Sequence, residues 1–174
     1  MTASIRWILL LVALSPVGAA PAAVQVTQLR ARHQAGQTLL TFTEVAPPAT
    51  SDTLRAVELQ ELRRKLDREH KVRYRVYRSD APIKSVAGLT PIAERPPLTG
   101  WNIDYYGALR PEHEALRYVV AEGQEPVPPG TGICAHNPPR AGNAFYAVTV
   151  GRDGQEHTTL GPDTPLSKPL AETV

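Results

Sequence analysis

Residues 71–79 read Lys-Val-Arg-Tyr-Arg-Val-Tyr-Arg-Ser, and this stretch decides the fold class. Side chains of two kinds alternate along it: Val72, Tyr74 and Val76 on one face, and Arg73, Arg75 and Tyr77 on the other. A period of two is the signature of a β-strand with one buried face and one face in water. β-branched and aromatic residues are the types that a half-buried pleated surface prefers. The stretch therefore predicts a central strand of a β-sandwich.

Further strands are predicted on either side of this one. The strand-like runs cover residues 24–32, 38–45, 88–93, 115–121, 133–136, 143–150 and 155–160. The first run loses its parity between Val26 and Leu29, which indicates a β-bulge. Asp153 and Gly154 separate the last two runs, and this pair supplies the positive φ that a tight hairpin needs. Because the chain also carries 17 prolines, which oppose long helices, we expect an all-β fold.

One segment departs from the β pattern. Leu59, Leu62 and Leu66 repeat at helical spacing, with charged residues over the remaining surface. Ser51 or Asp52 provides a side chain suited to an N-cap. The sequence therefore predicts a helix inserted at residues 51–69. We expect its apolar stripe to pack on the edge of the sandwich, the alternative being that it awaits a partner.

The first residues have the composition of an export signal. A single positive charge at Arg6 precedes an apolar run over residues 7–14, and small residues follow up to Ala23. This order is typical of a secretory signal peptide. The run is shorter than the roughly 20 residues that a membrane-spanning helix needs, although an uncleaved anchor is the alternative. We expect a signal peptide at residues 1–22, cleavage between residues 20 and 24, and a periplasmic, extracellular or cell-surface protein outside the membrane.

Composition argues against several classes of function. The net charge of +2 is too small and too balanced for a nucleic-acid partner. A single cysteine, Cys134, excludes an intramolecular disulfide and a cysteine-rich zinc site; we expect a buried thiol, the alternative being a bond between molecules. The five histidines lack the spacing of metal ligands, and His113, between two glutamates, fits a solvated loop. No cofactor, metal site or catalytic motif is predicted.

Three stretches resemble a known family. They are Gly-Gln-Thr-Leu-Leu-Thr-Phe at 36–42, Tyr-Arg-Val-Tyr-Arg-Ser at 74–79, and residues 145–156 with their Gly-Arg-Asp-Gly turn. They are similar to the second, third and paired last strands of the fibronectin type III domains of secreted bacterial proteins. Phe42 stands where the family usually has a tryptophan, and Ala144 where many members have the tyrosine of the tyrosine corner.

The resemblance implies a Greek-key, immunoglobulin-like sandwich over residues 23–161, interrupted by the helix, with a flexible C-terminal tail or linker at residues 162–174. In bacteria such domains are often accessory modules attached to secreted hydrolases. The expected function is therefore non-catalytic binding to a protein or polysaccharide surface, in possible association with a hydrolase. The alternative is a small secreted hydrolase whose site forms no sequence motif.

Three large aromatic residues, Trp101, Tyr105 and Tyr106, are the candidate binding site. They lie within six positions between Gly100 and Gly107. Exposed aromatic rings are enriched at protein interfaces, and binding loops are carried on rigid scaffolds. We expect at least one exposed ring here, the alternative being that Trp101 fills the core.

Overall fold

The computed structural model describes residues 24–45, 53–105, 110 and 112–174. The predicted signal peptide at residues 1–22 lies outside these ranges. Within them the protein is mostly β, with the elements β1 (Thr27–Gln34), β2 (Gln37–Thr43), α1 (Ala56–His70), β3 (Arg73–Ser79), β4 (Ala93–Arg95), β5 (Thr131–His136), β6 (Gly142–Arg152), β7 (Gln155–His157) and β8 (Leu170–Glu172). None of the helices in this part of the chain is both long and apolar enough to span a bilayer.

The strands form two antiparallel sheets. The first has the order β1-β2-β5, and the second has the order β4-β3-β6-β7, with β8 paired to the start of β6. Residues of both sheets contribute to one apolar cluster. Its buried members are Val26, Leu29, Leu40, Phe42, Tyr74, Val76, Cys134, Ala144, Tyr146, Val148 and Val150. The two sheets thus enclose a common core, as in a β-sandwich.

The alternation predicted for the central stretch is confirmed, but its outer face is not wholly in water: Tyr77, expected on the wet face, is 3% exposed and is buried with Ile83, Val86 and Phe145. Tyr74 and Val76 are fully buried, whereas Arg75 points to the outer face and forms ion pairs. The Phe42 ring of β2 packs across the core on Tyr74, with the ring centroids 5.1 Å apart. From the sequence, the apolar face of the strand predicted at 143–150 is expected to place Tyr146 opposite Tyr74 across the sandwich. That expectation was wrong, because β6 pairs directly with β3 and so places Tyr146 in the same sheet.

The predicted turns and bulge are also present. The pairing of β1 with β2 shifts register between Thr27 and Arg30, and Gln28 between them has a φ of 54°. Asp153 and Gly154, at the tip of the β6–β7 hairpin, both have positive φ, as a type I′ turn requires. These local signals are therefore accurate guides to strand register.

Helix α1 begins later than predicted and has a different neighbour. Ser51 and Asp52 lie outside the described residues, and the helix starts at Ala56. Its N-terminal half packs into a second, smaller core rather than on the sandwich edge. The buried members of this small core are Ala56, Leu59, Leu98, Trp101, Ile103 and Ala115. Only the last turns reach the sandwich, where Leu66 borders a small cavity together with Tyr74.

Two of the predicted strands were wrong. The strand expected at 88–93 is instead β4, at Ala93–Arg95. Residues 115–121 form an isolated antiparallel bridge, between Arg117 and Trp101, instead of a strand; its hydrogen bonds run from the Asn102 N–H to Leu116 O and from the Tyr118 N–H to Gly100 O. The alternation in that run therefore does not mark a sheet.

The C-terminal segment is part of the fold. Residues 162–174 were expected to be a tail or linker, but they contain β8, which pairs with residues 142–144. Thr164 is buried and donates its hydroxyl to Val26 O, and the Leu166 N–H donates to Tyr146 O. Polar contacts hold this segment in place, and its sequence has no hydrophobic periodicity. A search for periodicity therefore could not predict the strand.

Candidate functional site

The three aromatic residues predicted as a binding site differ in their exposure to solvent. Trp101 is only 4% exposed and belongs to the small core, so it offers no ring to a ligand. Tyr105 is 59% exposed, and Tyr106 lies outside the described residues. An exposed ring is thus present at Tyr105, but the expectation for Trp101 is corrected, because Leu98, Ile103 and helix α1 enclose it.

Trp101 instead supports a neighbouring loop. The guanidinium of Arg117 lies over its ring, 5.7 Å from the centroid. Arg117 Nη1 donates a hydrogen bond of 2.6 Å to the carbonyl oxygen of Val127. The N–H of Val127 donates in turn to Tyr118 O at 2.9 Å. The small core therefore holds in place the proline-rich segment 120–131, here called the proline loop.

An open cleft of about 640 Å³ lies between the proline loop and the outer face of the β1-β2-β5 sheet. This volume is within the range of small-molecule and cofactor sites. The lining residues are Gln28, Arg30, Ala31, Arg32, Leu39, Thr41, Phe42, Thr43, Val120, Gln124, Glu125, Pro126, Val127, Pro128, Pro129 and Thr131. The sheet forms the floor and the proline loop forms one wall.

The wall is built to be stiff. Pro126, Pro128 and Pro129 fix their own φ angles, and Val127 between them is buried. The loop also approaches residue 100 so closely that a Cβ on Gly100 would collide with the carbonyl oxygen of Thr131. Glycine is therefore required at that position for the wall to sit where it does.

Two arginines project from the floor. Arg30 and Arg32 are exposed and alternate along β1 with the inward-facing Leu29 and Ala31. They pair in register with Thr41 and Leu39 of β2, respectively. Neither guanidinium forms an ion pair or a side-chain hydrogen bond with another described residue. The cleft thus contains two guanidinium groups that are available to a ligand.

Exposed apolar side chains precede the proline loop in the chain. Leu116, Tyr118 and Val119 are between 44% and 54% exposed, and Val120, the next residue, lines the cleft. Neighbouring exposed apolar side chains are a feature of interaction surfaces. These exposed apolar side chains precede the cleft-lining Val120 directly in the chain.

Glu44 has a deeply buried carboxyl group whose pKa is far from its ordinary value. It is 2% exposed, and its Oε1 accepts a hydrogen bond of 2.7 Å from the Leu98 N–H. Its Oε2 has no hydrogen-bond partner among the described residues. Burial raises the pKa of Glu44 to about 8, against the lowering effect of hydrogen bonds from Leu98 and Thr99. Glu44 fastens residues 98–99 to the end of β2 and does not line the cleft.

A second buried carboxylate joins β8 to both sheets. Glu172 accepts hydrogen bonds from Thr38 at 2.7 Å, from the Tyr146 hydroxyl, and from Arg78 at 2.8 and 3.0 Å. Burial alone would raise the pKa of Glu172, but the hydrogen bonds from Tyr146, Thr38 and Arg78 together lower it. This network fixes the position of the C-terminal strand.

His33, Thr38 and Glu172 are residue types that occur in hydrolytic triads, but their hydrogen bonds connect them in a different order from that of a triad. His33 Nε2 accepts the Thr173 N–H at 2.9 Å, so Nδ1 carries the proton and donates to the Thr38 hydroxyl at 2.9 Å. The Thr38 hydroxyl is fully buried and donates to Glu172. A triad needs the histidine between hydroxyl and carboxylate, accepting the hydroxyl proton. Here the hydroxyl lies between the other two groups.

The remaining cysteine and histidine candidates occupy ordinary structural positions. Cys134 is buried, as expected, and burial raises the pKa of its thiol. His113 is exposed between Glu112 and Glu114, in agreement with a solvated loop. Within the described part of the chain, no group of three or more His, Cys, Asp or Glu residues is placed to hold a metal ion. Of the residues lining the cleft, Glu125 is the acidic one, and none is a histidine.

Arg30, Arg32 and the proline loop were not singled out from the sequence. The alternation of Arg30 and Arg32 with Leu29 and Ala31 does predict that both arginines share the outer face. What brings the proline loop over that face is its support by Arg117 and Trp101, a long-range contact with no local signal. A scan of protein-family models, a search of curated proteins and a search of solved structures each found no match to this chain.

Proposed function

We propose that this chain is an exported, non-catalytic binding module that holds an extended ligand in the cleft beneath the proline loop. The observation that carries the proposal is the cleft itself, an open groove of about 640 Å³ with a sheet as floor and a proline-stiffened wall. A preformed groove lowers the ordering cost of binding. The ligand is a component of a cell surface or matrix, a protein or a polysaccharide, and the module acts beside a secreted hydrolase. The export signal predicted at residues 1–22 supports this location.

We also propose that the sandwich is a Greek-key fold of the fibronectin type III kind. The stretches that carry the resemblance lie in β2, in β3 and in the β6–β7 hairpin. The chain crosses from one sheet to the other between β2 and β3, between β4 and β5, and between β5 and β6. Such crossings belong to Greek-key connections and support the assignment. Helix α1 is then an insertion between the second and third strands.

The composition of the cleft favours binding over hydrolysis. General acid–base catalysis needs a titratable group with a shifted pKa within reach of the substrate. Glu44 and Glu172 have shifted pKa values, but both are buried away from the cleft lining. The hydrolase alternative would therefore need catalytic groups outside the lining of this cleft.

Retention on insoluble matrices tests the proposal. The purified mature protein is mixed with cellulose, chitin and calcium-set pectate, and the bound fraction is measured. We expect at least one matrix to retain it, and Thr41→Trp to abolish that retention, because the indole fills the groove above the floor. Lys84→Trp, at an exposed position outside the cleft lining, is the matched control and should bind normally.

Two results would contradict the proposal. Equal retention of Thr41→Trp and the unaltered protein would place binding elsewhere. Release of soluble sugar from a matrix by the purified protein would contradict the absence of catalysis.

A further inference from the structure

We propose that the ligand of the cleft is an anionic polysaccharide, whose carboxylate or sulfate groups are bound by Arg30 and Arg32. This inference rests on the proposed function, and it names the chemical class of the ligand. It is drawn from the charge, spacing and surroundings of the two arginines.

The first argument is charge complementarity. Arg30 and Arg32 are two residues apart on one face of β1, which places them roughly 6.6 Å apart along the strand. Across the cleft the wall carries a single carboxylate, Glu125, so the charged groups in the lining are two guanidinium groups and one acid. A chain with regularly repeated negative charges can engage both arginines together. A neutral ligand could accept hydrogen bonds from them but would not compensate their charge.

The second argument concerns the hydrogen-bonding capacity of guanidinium. Its planar array of N–H donors matches a carboxylate or a sulfate, and such charge-assisted bonds are stronger than neutral ones. Most other arginines of the two sheets already have acidic partners. Arg75 pairs with Glu94 and Glu156, and Arg78 pairs with Glu172. Arg95 and Arg152 also lack an acidic partner among the described residues, but Arg30 and Arg32 are the unpaired arginines that line the cleft.

The third argument separates a polysaccharide from an acidic peptide. An extended peptide is often bound by adding a strand to a sheet edge through backbone hydrogen bonds. The cleft lies over the face of β1 and β2 and not along the outer edge of β1, and the backbone groups between these two strands already pair with each other. Recognition on this face must use side chains. Beside the arginines these are hydroxyl and amide groups, on Gln28, Thr41, Thr43, Gln124 and Thr131, which can bind the hydroxyl groups of sugars.

Affinity electrophoresis with soluble polysaccharides tests the inference. The protein runs through native gels that contain polygalacturonate, neutral dextran or poly-glutamate, at low and at high salt. We expect polygalacturonate to retard the protein, dextran and poly-glutamate to retard it much less, and salt to weaken the effect. Arg30→Gln combined with Arg32→Gln should reduce the affinity for polygalacturonate at least about tenfold.

A matched control removes two charges elsewhere. Arg64 and Arg68 are exposed on α1 and both pair with Glu61, so Arg64→Gln combined with Arg68→Gln changes the net charge equally. This control should keep its affinity, and thermal melts should show that both double variants are folded. If it loses affinity as much as the cleft variant does, attraction is non-specific and the inference is overturned.

The remaining outcomes separate this inference from the proposed function. Should dextran or a neutral matrix bind, with sensitivity to Thr41→Trp but not to loss of the two arginines, the cleft binds but the anionic class is wrong. Equal or stronger binding of poly-glutamate would make the ligand a peptide. No retardation by polygalacturonate at low salt would also overturn the inference.

Discussion

At the scale of single residues, Trp101 links the small core to the cleft. Its ring packs with Leu59 and Ile103 in the small core and lies under the guanidinium of Arg117. Arg117 in turn holds the proline loop through the carbonyl oxygen of Val127. A residue that the sequence suggested as a binding platform thus positions the wall of a neighbouring site.

Trp101→Ala should destabilise the protein by about 3–5 kcal/mol, because it removes a large buried side chain and leaves a cavity. A domain of this size has only about 5–15 kcal/mol of stability, so the effect is large. The free energy of unfolding, measured in urea, checks it. Tyr105→Ala is the comparison, since that ring is 59% exposed and its loss should cost far less. If both variants were equally stable, Trp101 would not be a core residue.

At the scale of elements, two buried carboxylates hold segments that have no hydrophobic periodicity. Glu44 binds the N–H of Leu98 and so joins the small core to β2. Glu172 binds Thr38, Tyr146 and Arg78 and so joins β8 to both sheets. Their pKa values move in opposite directions, because burial dominates at Glu44, whereas at Glu172 the hydrogen bonds from Tyr146, Thr38 and Arg78 together outweigh burial.

The raised pKa of Glu44 predicts that stability falls as pH rises from about 5 to about 8. In the unfolded chain the carboxyl loses its proton near its ordinary pKa of 4.5, whereas in the folded protein it keeps the proton up to about 8. Between these values the folded state binds one more proton, so each rise in pH favours unfolding. The full effect is on the order of 5 kcal/mol. Glu172, with its lowered pKa, contributes stability that is lost only as pH falls below about 4.5.

Glu44→Gln isolates this effect, because an amide keeps an acceptor for Leu98 but does not titrate. Burial also lowers the pKa of His136, but that contribution is common to both proteins and cancels in their difference. We expect the variant to gain stability relative to the unaltered protein as pH rises from 5 to 8, as measured by urea unfolding. A difference between the two proteins that does not change with pH would contradict the raised pKa.

At the scale of the whole molecule, the sequence predicted the sandwich core and missed what surrounds it. The alternation at Val72–Val76 and the Asp153–Gly154 turn reflect local geometry, so they could be interpreted from neighbouring residues alone. The C-terminal strand depends on the polar anchor Glu172, and the cleft depends on a loop held across the small core by Arg117. Such contacts join residues far apart in the chain, and no local pattern encodes them.

The most direct test of the cleft as the binding site is a ¹H–¹⁵N NMR titration of the mature protein. Soluble oligomers of polygalacturonate and of cellulose are added separately, and the amide shifts are mapped. We predict that the largest shifts, with one oligomer or the other, fall on residues 30–32, 39–43 and 124–131. Shifts confined to Tyr105, to α1 or to the outer face of the other sheet would contradict the account, as would no shift with either oligomer.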